Sequence, residues 1–169
     1  METTKNKLNE HEKEFFNNLK NYINKPIYFY GSIQRYDYIE KTSDIDIDIF
    51  TDNEDSTLLL LQNFLNINKT DFKKIMYRTD KKHGGVIPGY KTKYDDGISV
   101  EISVYNEKHK QDILNVHQKI IDLPFYIPYV LLFLKFLHFN LGILSQPYYL
   151  YLKHTLVNVK NTNFLTTAF

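Results

Sequence analysis

Residues 43–50 read Ser-Asp-Ile-Asp-Ile-Asp-Ile-Phe, a strict alternation that admits one local structure, a β-strand with two unlike faces. Ile45, Ile47 and Ile49 supply a core face. Asp44, Asp46 and Asp48 then share the opposite face, about 7 Å apart, although aspartate is a poor strand former and like charges on one face repel. Two arrangements can compensate. An edge strand would leave the acidic face in water, where the repulsion is screened. A divalent cation would be held by these hard oxygen ligands, as Mg²⁺ is, with coordination positions left for water and substrate phosphates.

The surrounding sequence favours the cation. Upstream, the apolar run Ile27–Tyr30 reads as a short buried strand that ends at Gly31-Ser32. A Gly-Ser turn leading into a helix presents backbone N–H groups and a hydroxyl to a phosphate, and glycine permits an approach that a Cβ would block. Downstream, Ile98-Ser-Val-Glu-Ile-Ser-Val104 places Glu101 between Val100 and Ile102 in a second apolar strand. Three carboxylates on two strands beside a phosphate-holding turn make a two-metal phosphoryl-transfer site. Asp46 with Asp48 is the alternative register. Asp44 with Asp46 is preferred, because the acid at the start of the strand lies nearest the Gly-Ser turn.

Leu8, Phe15, Phe16, Leu19, Tyr22 and Ile23 recur at helical spacing, so an amphipathic helix is expected up to Asn24, closed by Pro26. A helix is expected over 57–66, capped by Asp55 or Ser56, and a strand over 72–79. Residues 83–97 read as a loop and strand pair broken by Gly and Pro, and Lys81-Lys82-His83-Gly84-Gly85 as a basic loop. Helices are expected over 112–122, 128–144 and 147–159, separated at Pro124, Pro128 and Pro147. The expected fold is α+β: a small mixed sheet flanked by helices, with a short C-terminal helical extension. Residues 1–111 would form the core and 112–169 the extension packed on it, or the two would be one continuous domain.

The 169 residues suffice for one domain with a proper core. A net charge of +1 announces no global attraction to nucleic acid or membrane, and the absence of cysteine excludes disulfide scaffolds, thiolate chemistry and Cys-ligated zinc. The N-terminus lacks the apolar run of a secretory signal, so an intracellular, cytoplasmic protein is expected. Residues 123–144 are apolar enough to resemble a membrane span, but Lys135, His138 and Asn140 in the central part would each be costly in hydrocarbon, and a buried core helix is the preferred reading.

Gly31-Ser32, an eleven-residue spacer, Asp44-Ile45-Asp46 and a later strand acid, Glu101, resemble the nucleotidyltransferase superfamily that includes DNA polymerase β, poly(A) polymerases and terminal uridylyltransferases. Residues 86–106 are similar to the segment of noncanonical poly(A) and uridylyl polymerases that runs from a Val-Pro-x-x-Lys strand to the third acid, with Pro88, Lys91 and Glu101 in the matching places. The resemblance covers residues 27–106, about half of the chain. It departs from the family pattern at Glu101, where the acid is usually Asp, at Tyr36, where a glycine is common, and in the short helical tail.

The resemblance implies that Gly31 and Ser32 hold a nucleoside triphosphate such as ATP, that Asp44, Asp46 and Glu101 bind two Mg²⁺ ions, with Mn²⁺ as an alternative, and that Glu101 helps activate the attacking hydroxyl. Lys135 and Lys153 on the tail helices would reach the triphosphate; the alternative is that each snorkels to solvent. Tyr148, Tyr149 and Tyr151 are expected to pack rather than to stack on a base. The implied reaction is transfer of a nucleoside monophosphate to an acceptor hydroxyl with release of pyrophosphate, leaning toward an RNA 3′ end, with a protein partner supplying RNA binding and no membrane. The other reading is a catalytically weakened homologue that acts as a nucleotide- or partner-binding subunit.

Overall fold

Residues 2–78 and 85–157 are described by the computed structural model of the chain. Helix α1 (Glu10–Ile23) begins at a capping box in which Asn9 and Glu12 exchange backbone N–H bonds of 2.9 and 2.8 Å. It ends at Asn24, which takes the left-handed conformation (φ 51°) just before Pro26. Strand β1 (Ile27–Tyr30) runs into a single 3₁₀ turn, Gly31–Gln34. Strand β2 (Ile45–Thr51) carries the alternating aspartates and leads into α2 (Glu54–Leu65). The cap of α2 is Asn53, not Asp55 or Ser56: its side chain accepts the N–H of Ser56. Strands β3 (Lys73–Arg78), β4 (Val86–Asp95) and β5 (Ser99–Asn106) follow, then helices α3 (Lys110–Ile121), α4 (Tyr126–Lys135) and α5 (Gln146–Leu156). The basic loop at 81–85 lies outside the described residues except for Gly85, and so do residues 158 and 159 of the expected last helix.

The strands form one mixed sheet in the order β1-β2-β5-β4-β3, with β2 and β5 parallel and the other pairs antiparallel. The chain is therefore α+β, as its sequence predicts. Because β2 is paired on both sides, the edge-strand arrangement for the acidic face does not occur. Ile45, Ile47 and Ile49 meet Val100, Ile102 and Val104 of β5 in register and bury one sheet face under α1 and α2. The acidic face is turned toward α3, whose Ile113 packs with Tyr28, Phe50 and Tyr105.

Three local expectations are corrected. Residues 86–95 form one continuous strand: Pro88 pairs only with the edge strand β3, and pairing with β5 starts at Gly89, so the missing N–H costs no bond to β5. Gly89 is needed because a Cβ there would lie 2.5 Å from the ring of Tyr105. Pro128 does not separate helices. It sits in the first turn of α4, where its N–H would be unbonded in any case.

The third correction concerns the apolar stretch at 123–144. It is not a buried core helix: α4 buries Ile127, Leu131, Leu134 and Lys135 but exposes Tyr126, Tyr129 and Phe133, then passes through a π turn, Phe136–Asn140. No single helix among the described residues is long and apolar enough to cross a membrane; the pair Glu107–Ile121 and Tyr126–Asn140, bent by 82°, reaches that length and composition only together.

Candidate active site

The parallel pairing of β2 with β5 sets Asp46 directly opposite Glu101. Adjacent strands lie about 4.8 Å apart, so two carboxylates on the same face are forced together. Burial, then the charge of Glu101, pushes the Asp46 carboxyl up to about 8, against the opposing charges of Lys153 and Lys91. Tyr30, the β1 partner of Asp46, has its phenol raised well above the usual range by burial and by Asp48, Asp46 and Glu101.

Gly31 follows Tyr30 with φ +72°, and a Cβ built there would lie 2.0 Å from Oδ2 of Asp46. The backbone of the Gly-Ser turn therefore rests on the Asp46 carboxylate, and no other residue leaves room for it. The sequence predicts that Gly31 lets the backbone come close to a phosphate; what the backbone approaches here is Asp46.

Asp44 lies one residue before β2 and is half-buried. Its Oδ1 accepts hydrogen bonds from Ser99 Oγ at 2.6 Å and Lys93 Nζ at 3.1 Å. Burial favours its acid form, but these bonds outweigh burial and hold the carboxyl below its usual pKa. Glu101 is paired with Lys91 at 2.5 Å. Lysines at alternate positions of β4 thus hold two of the three predicted acids.

A cavity of about 400 Å³ is lined by Gly31, Ser32, Asp44, Asp46 and Glu101 together with Ile120, Phe139 and Tyr149. Lys153 of α5 faces into it, has no hydrogen-bond or ion-pair partner among the described residues, and acts by its charge on Asp46 and Asp44. Lys135 also touches the cavity, but the residue is only 4% exposed and its ammonium donates to the Asp37 carbonyl at 2.5 Å and to Ser43 Oγ at 2.9 Å, with Asp37 Oδ2 at 3.4 Å. Its three donors are spent on the segment between the Gly-Ser turn and Asp44. Arg35 completes this buried cluster through two hydrogen bonds to Asp37 of 2.7 and 3.0 Å. Burial lowers the Lys135 pKa, opposed by Asp37. Tyr149 is buried and stacks on His138 at 4.8 Å, whereas Tyr148 and Tyr151 are exposed rather than packed.

One residue of this region, His117, escapes a reading of the sequence, and the alternative register that pairs Asp48 with Asp46 is not adopted. Asp48 is not in the cleft: it is fully buried, 2.9 Å from Nδ1 of His117 on α3. His117 itself stands at the spacing of Ile113 and Ile121, the buried face of α3. A histidine on that stripe, opposite a strand with one aspartate too many, is the signal that could have found the pair.

Among the described residues, no group of three His, Asp or Glu side chains is already gathered to hold a metal ion. The donor chemistry nonetheless fits a hard divalent cation: Asp46 and Glu101 are adjacent oxygen donors, and a cation, like a proton, would offset the cost of burial and then the repulsion from Glu101 that raise the proton affinity of Asp46.

No protein-family model and no curated protein matches the chain. The chain is similar to several solved structures, at TM-scores below 0.5. They include the Cid1 poly(U) polymerase bound to MgGTP (17% identity, TM-score 0.44, covering 75% of this chain and 39% of that one). A cytoplasmic RNA terminal U-transferase matches at 16% identity and TM-score 0.42, over 78% of this chain and 42% of that one. The CdnE cyclic dinucleotide synthase of Elizabethkingia meningoseptica, with GTP and Apcpp, matches at 17% identity and TM-score 0.42, over 92% of this chain and 69% of that one. The chain therefore spans about two fifths of the length of the first two. At these identities and TM-scores the chemistry must be argued from the site itself.

Proposed function

We propose that the chain is a nucleotidyltransferase that moves a nucleoside monophosphate from a nucleoside triphosphate to an acceptor hydroxyl and releases pyrophosphate. The observation that carries this reading is the in-register pair Asp46 and Glu101, with the backbone of Gly31 seated against one of its carboxylates.

In this reading Asp46, Glu101 and Asp44 hold Mg²⁺, or Mn²⁺, which supplies charge neutralisation at the phosphates. The N–H groups and hydroxyl of the Gly31-Ser32 turn bind the triphosphate, and Lys153 adds a positive charge from α5. Glu101 takes the proton of the acceptor hydroxyl as its oxygen bonds to the α-phosphorus and the bond to the β-phosphate oxygen breaks. Lys135 serves as a strut between α4 and the segment that carries Ser43 and Asp44, in place of a phosphate contact. The acceptor we favour is an RNA 3′ end, with RNA binding completed by a protein partner; the motif from Pro88 through Lys91 to Glu101 supports that choice.

A second reading is supported by the ion pairs Lys91–Glu101 and Lys93–Asp44: lysines that neutralise two acids suit a homologue that binds nucleotide without turning it over. Incubation with α-phosphate-labelled nucleoside triphosphates, Mg²⁺ or Mn²⁺ and a generic RNA separates the two. Label joined to the RNA supports the transferase. Nucleotide binding with all label left on nucleotide supports the binding subunit.

A further inference from the structure

Asp48 lies two residues beyond Asp46 on β2 and has no solvent exposure. It takes no part in the chemistry above, yet an ionised carboxylate is costly to bury without a partner. Its neighbour is Nδ1 of His117 at 2.9 Å, on a side chain that is itself buried. The imidazole ring then lies against Tyr30, with ring centroids 3.9 Å apart and planes 19° from parallel, while the Tyr77 ring meets it nearly edge-on at 6.0 Å. Tyr30 is the last residue of β1, the register partner of Asp46 and the residue from which the Gly31-Ser32 turn departs.

Packing alone would not require a polar pair here. An apolar side chain on α3 could fill the space, but it would be free to choose its rotamer. A carboxylate oxygen 2.9 Å from one ring nitrogen, in contact with it but off the line of a hydrogen bond, restricts the rotation of the imidazole, and a flat ring held in place restricts the plane of Tyr30. Gly31 lacks a side chain to fix its own position, and its backbone must stay against Asp46.

We propose that His117 is a positioning residue: anchored by Asp48, its ring sets Tyr30 and thereby holds the Gly31-Ser32 turn where it binds nucleotide. The inference rests on the reading of that turn as the triphosphate site.

Two substitutions separate the two contacts of His117. His117→Asn keeps an N–H donor close to the place of Nδ1 but removes the ring from Tyr30. His117→Phe keeps a ring on Tyr30 but leaves Asp48 without its partner. Binding of a non-hydrolysable nucleoside triphosphate with Mg²⁺ is measured by calorimetry, melting temperature by calorimetric scan, and the Gly31 and Ser32 amide resonances by NMR. His117→Phe should melt lower than His117→Asn because it strands Asp48, yet it should bind nucleotide only about threefold more weakly than wild type, since its ring is present but unanchored, whereas His117→Asn should bind about tenfold more weakly despite its higher melting temperature. The Gly31 and Ser32 resonances should move in both variants, and further in His117→Asn. Affinity that simply follows melting temperature, or unchanged affinity in His117→Asn, overturns the inference. If wild type binds no nucleotide, the functional reading fails instead, and the resonances alone decide whether His117 positions the turn.

Discussion

Asp46 and Glu101 stand opposite one another on neighbouring parallel strands, and that register, not the sequence spacing of 55 residues, makes them one site. The pairing has a consequence for stability. The Asp46 carboxyl is raised to about 8 in the fold from a usual value of 3.8, so between these values the folded chain holds a proton that the unfolded chain has lost. Stability should therefore fall as pH rises through that window. The loss should be smaller in Asp46→Asn, and smaller in wild type when Mg²⁺ is present at the upper end. Melting temperature measured from pH 5 to 8.5, with Mg²⁺ or with chelator, checks both.

Gly31→Ala should be damaging out of proportion to its size. The new Cβ meets Asp46 Oδ2 at 2.0 Å and the residue keeps φ +72°, so both a steric clash and an unfavourable backbone conformation are imposed. A loss of at least about 1 kcal/mol is expected, seen as a melting temperature lower by several degrees, together with loss of nucleotide binding. Ser32→Ala should leave the melting temperature nearly unchanged and weaken nucleotide binding alone.

The two tail lysines should behave in opposite ways. Lys135→Met breaks a buried cluster with Asp37 and Ser43, and chemical denaturation should show a loss of about 2 to 4 kcal/mol. Lys153→Met removes a cation that has no partner among the described residues, so stability should change by less than about 0.5 kcal/mol while the KM for nucleoside triphosphate rises. Equal effects of both on KM at matched stability would contradict the strut role of Lys135.

Lys91→Met should unmask the acid pair. With the ammonium beside Glu101 gone, Asp46 and Glu101 repel more strongly, and a divalent cation has no side chain to displace. The rise in melting temperature produced by Mg²⁺ should be larger in this variant than in wild type, even if turnover is lower. A smaller rise would mean that Lys91 assists the cation instead of competing with it.

The alternation at 44–49 made the strand, its core face and its acidic face legible before any coordinates, because a period of two leaves no other choice. Glu101 was legible as an isolated acid in an apolar strand, and Gly31 as a place of close approach. What the sequence did not reveal were distances across the fold. Asp48 looks like Asp44 and Asp46 on paper, and only the packing of α3 separates it from them by bringing His117 over it. Lys135 looks like a free cation on an apolar helix until Asp37 and Ser43, nearly a hundred residues earlier, arrive beside it. The strand through Pro88 and Gly89 was hidden because local turn signals outweigh a pairing partner that is remote in sequence. The exposed aromatic side of α4 was hidden because hydropathy does not report which side of a helix the core covers.

The most direct test of the central claim is pyrophosphate release from each of the four nucleoside triphosphates, with Mg²⁺ or Mn²⁺ and a generic RNA acceptor, in wild type, Asp46→Ala and Glu101→Gln. Wild type should release pyrophosphate, and release should fall at least about a hundredfold in both variants while they remain folded, because each removes a ligand that the reacting phosphate depends on. Release that persists unchanged in folded Asp46→Ala would contradict it.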